Sequence, residues 1–127
     1  MKKLIYWLPV VIWAGVIFVL SSNPVAPASA IDWQDFMVKK TAHVIEYAIL
    51  FVLVYRATKN GLFSLLFVVL YASSDEYHQT FVFGRTGKVR DVLIDAGGGV
   101  ASWLIIAKWL PQAPQKLKNW AKKLELI

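Results

Sequence analysis

From Leu4 to Leu20 the chain runs for 17 residues without a charged side chain, directly behind Lys2 and Lys3. Coiled as a helix, this run is about 26 Å long, just enough to span the hydrocarbon of a bilayer. Three more apolar stretches follow, at about 41–58, 61–79 and 91–110. Lys59-Asn60-Gly61 makes a tight turn between the second and third, so those two form a helical hairpin. In the fourth, Gly97-Gly98-Gly99 with Ala101 and Ser102 offers a small-residue surface where a neighbouring helix can approach closely. It lacks the spacing of a phosphate-cradling glycine loop. The tail over 115–127 sets Leu117, Trp120, Ala121, Leu124 and Ile127 at helical spacing among Lys116, Lys118, Lys122 and Lys123, the pattern of a helix lying in a membrane interface.

Composition agrees with this reading. Hydrophobic residues make up 57% and charged residues 17% of 127 residues, against about 45–50% and about 25% in soluble domains. The fold expected is a single all-α domain over 1–127, an integral membrane four-helix bundle with a C-terminal amphipathic interfacial helix. A rival reading of the first run is a signal peptide cut after Ala28-Ser29-Ala30. The length of the run, and the nine residues including Pro24 and Pro27 that follow it, favour a retained span.

The 14 Lys and Arg against 8 Asp and Glu give a net charge of +6. The basic residues flank apolar runs rather than forming a stripe, which points to anionic lipid headgroups and away from nucleic acid. With both termini inside, the inner side holds Lys2, Lys3, Arg56, Lys59, Lys108, Lys116, Lys118, Lys122 and Lys123. The outer side holds Lys39, Lys40, Arg85, Lys88 and Arg90. The inward excess predicts a multi-pass cell-membrane protein with cytoplasmic termini. There is no cysteine, which excludes disulfides and thiolate chemistry.

On that topology the remaining ionisable residues converge at the outer end. His43 and Glu46 are spaced i,i+3; Asp75 pairs with His78 at i+3 and Gln79 at i+4; Asp91 and Asp95 are i,i+4, with Glu76 near the rim. Each pair shares one helix face. Ionisable groups in a span are costly, so they point inward and find partners there.

Several pieces together carry a resemblance to the VanZ-like family of membrane proteins. They are Ser21-Ser22-Asn23-Pro24, Lys40-Thr41-Ala42-His43 with Glu46-Tyr47, Asp75-Glu76-Tyr77-His78-Gln79, Phe81-Val82-Phe83-Gly84-Arg85, and Asp91-Val92-Leu93-Ile94-Asp95 with the glycines after it. Phe83 stands where the family commonly has proline. The resemblance covers most of residues 21–100 and brings Ser22 into the candidate site. It implies a cell-envelope protein, with a named relative associated with resistance to the glycopeptide antibiotic teicoplanin, and carries over no biochemical activity.

Three functions fit these residues. In the first, an outward site acts on an anionic lipid or lipid-linked cell-wall precursor. His43, Glu46, Asp75, Glu76, His78 and Asp95 would do acid–base or nucleophilic work, and Lys40, Ser22, Gln79, Arg85, Arg90 and Asp91 would hold the substrate. A divalent metal ion on His43, Glu46, Asp75, His78 and Asp95 is a variant that the spacing allows. In the second, the same residues hold an anionic headgroup, or the antibiotic, without breaking a bond. In the third, Lys40, Arg85 and Arg90 merely neutralise Asp75, Asp91 and Asp95.

Overall fold

A computed structural model describes residues 2–23, 33–85 and 87–127, and all regular structure among these residues is helical. Ala28-Ser29-Ala30 lies outside the described residues. Helix α1 spans Lys2–Ser22, α2 Trp33–Thr58, α3 Gly61–Gln79, α4 Val89–Leu104 and α5 Gln115–Lys123. The second helix begins at Trp33 rather than near Thr41 because the helical backbone continues through a polar turn ahead of the apolar run.

Local chemistry sets the turns. Lys59 takes a left-handed φ of 57°, which closes α2. Asn60 then caps α3, its side chain accepting the Phe63 N–H at 3.0 Å. After α3, Gly84 adopts a φ of 77°, a region that costs glycine nothing, and so turns Arg85 back toward α1. Beyond Leu104 the helix loosens into a π turn over Ile105–Trp109 and tightens into a 3-10 turn over Leu110–Gln112.

Helices α2, α3 and α4 pack against one another, while α1 lies on α2 and touches α3 more lightly. The closest approach is between α2 and α4. A methyl group on Gly98 would collide with the Val44 carbonyl oxygen, so only glycine permits this contact. The core of the bundle holds Val10, Ile17, Tyr47, Leu50, Phe51, Val54, Val68, Ala72 and Ile106.

Among the described residues two helical stretches are long and apolar enough to cross a membrane, Lys3–Ser22 and Val89–Gln112; the expected second and third spans are not among them. Polarity is nonetheless distributed inside out. Leu66, Leu70 and Leu93 are exposed, at 54%, 70% and 68%, whereas Asp75, Glu76, Gln79, Asp91 and Asp95 are buried.

The tail differs from a continuous helix over 115–127. Helix α5 ends at Lys123, and Glu125, at a φ of 56°, reverses the chain so that the Leu126 N–H donates to the Ala121 carbonyl. Leu126, rather than Ile127, is thereby buried against Leu110, Ala113 and Ala121.

Candidate functional site

Asp75, on the last turn of α3, joins three helices. Its Oδ2 accepts hydrogen bonds from Ser21 Oγ of α1 at 2.8 Å, Tyr47 OH of α2 at 3.1 Å and Gln79 Nε2 of α3 at 3.0 Å. This oxygen is thus met by two hydroxyls and an amide.

Next to this hub, α2 presents His43 toward two carboxylates. His43 Nδ1 lies 3.8 Å from Asp95 Oδ1 on α4 and 3.9 Å from Glu46 Oε2 one turn along α2. These separations exceed a hydrogen bond. Among the described residues neither His43 Nδ1 nor Asp95 Oδ2 has a hydrogen-bond partner, although both atoms are buried. Nearer the rim, Lys40 Nζ pairs with Asp91 Oδ1 at 2.7 Å, joining α2 to the first turn of α4. There the Asp91 carboxylate also meets the positive end of the helix dipole. Arg90 is 3.9 Å from the same oxygen and largely exposed.

Among the described residues Arg85 makes no close ion pair with an acid. Its Nε and Nη2 donate to the carbonyls of Asn23, at 3.0 Å, and Leu20, at 3.2 Å, and so pin the α3–α4 loop to the end of α1. Two cavities adjoin this strut. One, of about 170 Å³, lies between α1 and α2 and is lined by Leu20, Ser21, Lys39, Ala42, His43, Glu46 and Arg85. The other, of about 210 Å³, is lined by Lys39, Lys40, His43, Gln79, Arg85, Lys88, Arg90 and Asp91. Lys39, His43 and Arg85 belong to both.

The sequence-predicted site therefore separates into a centre and its surroundings. His43, Glu46, Asp95, Lys40, Asp91, Gln79, Arg85 and Arg90 come together around the two cavities, with Asp75 beneath them. Three residues lie apart. Ser22 Oγ donates to the Phe18 carbonyl of its own helix at 2.6 Å, so Ser21 takes the place expected of Ser22. His78 stacks on Phe18, ring centroids 4.5 Å apart, on the side of α3 that faces α1. Glu76 Oε2 accepts the Lys88 backbone N–H at 3.1 Å, fastening the start of α4, and lines a different cavity. With Asp75 engaged by hydroxyls and His78 turned aside, no three His, Asp or Glu side chains among the described residues are grouped to hold a metal ion. The expected five-ligand set is not assembled.

Sequence reasoning missed Ser21 and Tyr47. Tyr47 reads as one more aromatic in an apolar run; its signal was its i,i+4 spacing from His43, which puts both on one face of α2.

Described residues that are helical wherever regular, that bury Asp75, Glu76, Asp91 and Asp95, expose Leu66, Leu70 and Leu93, and include two helices apolar enough to cross a bilayer have the character of a membrane protein. A family model described as VanZ/LLP1 matches residues 5–110, and the chain belongs to that family. No curated protein and no solved structure matches it.

Proposed function

We propose that α1 to α4 form an integral four-helix bundle, with both termini cytoplasmic and the paired cavities facing outward. In this reading the cavities take the anionic headgroup of a lipid or lipid-linked cell-wall precursor. The observation that carries it is the cavity where Lys40, Lys88, Arg85 and Arg90 converge above His43. Lys39 lines the same space, so five cations face one carboxylate, Asp91, which already pairs with Lys40; the excess of positive charge suits a phosphate or carboxylate. The apolar exterior of α2 and α3, with Ile45, Leu66 and Leu70 exposed, supports four spans, since lipid is the solvent that such a surface suits.

Within this site His43 is the group suited to exchange a proton with the ligand. It sits between Asp95 and Glu46, each within 4 Å, and either carboxylate can orient the imidazole once a ligand draws them together. A second reading, holding the headgroup without reaction, is favoured by the spacing itself, since no carboxylate is hydrogen-bonded to His43. By family resemblance, either activity would bear on glycopeptide resistance at the outer surface, where wall precursors are exposed to teicoplanin.

Expression in a teicoplanin-sensitive bacterium, with protein levels matched, tests both readings. The unaltered chain should raise the tolerated drug concentration several-fold. Lys88→Gln/Arg90→Gln, at two exposed positions, should abolish the gain under either reading. His43→Asn should abolish it only if a proton is transferred; retention there leaves the binding reading standing. Full protection by the double variant would remove the cavity from consideration.

A further inference from the structure

At the end of the bundle opposite His43, Asp75 and Asp95 lies a further cavity, of about 260 Å³, between the end of α4 and α5. Its walls are almost wholly apolar: Val52 of α2, Ile105 and Trp109 of the π turn, and Leu117, Trp120 and Leu124 from α5 and the residue after it. The hydroxyl of Ser102, also in the wall, is already spent on the Ala48 carbonyl at 3.2 Å. Ile105, Trp109 and Trp120 remain 51%, 54% and 58% exposed, so the groove is open along one side.

Its surroundings say what covers it. The groove runs along the last turns of the apolar stretch Val89–Gln112, up to the level at which a membrane helix meets lipid phosphates. On α5, Lys116 and Lys123 stand four residues before and three after Trp120, so all three share one flank of the helix. Both lysines are exposed, and neither enters an ion pair among the described residues. An apolar slot bordered by two uncompensated cations matches a molecule with a hydrocarbon chain and an anionic head.

We propose that this groove binds one acyl chain of an anionic phospholipid, with the lipid phosphate held by Lys116 and Lys123. The bound lipid clamps α5 to the end of α4. The π turn serves the site by widening the helix where Ile105 and Trp109 must leave room for the chain. The inference depends on residence in a membrane and not on what the outer cavities do.

Bromine on an acyl chain quenches tryptophan emission on contact, which makes Trp109 and Trp120 reporters. The full chain is reconstituted in phosphatidylcholine vesicles containing equal fractions of brominated phosphatidylglycerol or brominated phosphatidylcholine. Brominated phosphatidylglycerol should half-quench the responsive emission at a several-fold lower fraction. That preference should vanish in Trp109→Phe/Trp120→Phe, which leaves four tryptophans as background. It should vanish also in Lys116→Gln/Lys123→Gln, and survive in Lys116→Arg/Lys123→Arg. Equal quenching by the two lipids, or a preference untouched by the glutamine pair, overturns the proposal. So does emission from Trp109 and Trp120 that neither lipid reaches, because a second copy or the chain itself then fills the groove.

Discussion

At Asp75 one carboxylate oxygen accepts three hydrogen bonds from three helices, and the consequences are testable donor by donor. Ser21→Ala removes one charge-assisted bond from a buried acid, at a cost of about 1–3 kcal/mol. Ser22→Ala removes a bond to the same helix's backbone and should stay within about 0.5 kcal/mol of the unaltered chain. Unfolding midpoints in mild detergent compare the two; equal effects would contradict the hub. Lys40 and Asp91 form the other strong pair, 2.7 Å apart and only partly exposed. Lys40→Gln alone strands a carboxylate, so it should destabilise more than Lys40→Gln/Asp91→Asn, which removes the charge as well. A double-mutant cycle on the same midpoints measures the difference, and simple additivity would argue against the pair. Spacing in the sequence is enough to bring His43, Glu46 and Asp95 together, because each lies on a helix face with few polar neighbours. It cannot separate Ser21 from Ser22: adjacent residues differ by about 100° around the helix axis, and only the packing of α1 on α3 decides which hydroxyl turns inward.

For the helices, legibility followed the strength of the punctuation. Helix α3 has the predicted bounds, 61–79, because Asn60 caps one end and the polar Asp75 to Gln79 turn marks the other. Helix α2 was read from its apolar run, and nothing in an apolar count signals that the backbone coils from Trp33 onward. The tail was legible as amphipathic but not as a hook, since its end depends on a left-handed Glu125, a residue type with no preference for that conformation. The glycine triplet was legible as a packing surface, and the structure divides its members. Gly98→Ala forces a methyl group against the Val44 carbonyl and should push α2 from α4, costing about 1–3 kcal/mol. Gly97→Ala meets open space and should be neutral or gain up to about 1 kcal/mol from helix propensity. The two variants differ by one position in the same helix, so thermal midpoints of opposite sign isolate the close approach. Two matching losses would mean that backbone flexibility, rather than contact, explains the triplet.

Across the molecule, side-chain ties distinguish two ends without reference to any membrane. At one end Tyr6 OH donates to Glu125 Oε1 at 2.8 Å, Lys59 Nζ reaches the Glu125 carbonyl, and Arg56 sits 5.1 Å above the Tyr6 ring. The start of α1, the α2–α3 turn and the C-terminal hook are therefore held together. At the other end Arg85 binds the α3–α4 loop to the finish of α1. If the bundle spans a bilayer, one of these ends lies on each side, and the proposed orientation puts the first, lysine-rich end in the cytoplasm. The chain contains no cysteine, so single substitutions report cleanly. With a membrane-impermeant maleimide, Lys88→Cys should react in intact cells, whereas Lys59→Cys and Lys122→Cys should react only after the membrane is opened. Labelling of Lys59→Cys and Lys88→Cys from the same face would rule out the hairpin of α2 and α3 as two crossings. The reverse pattern would keep four crossings but turn the basic cavities toward the cytoplasm, where no exposed wall polymer awaits them. The basic cavities and the proposed lipid groove stand at opposite ends of the same helices, so this one measurement decides which leaflet each of them meets.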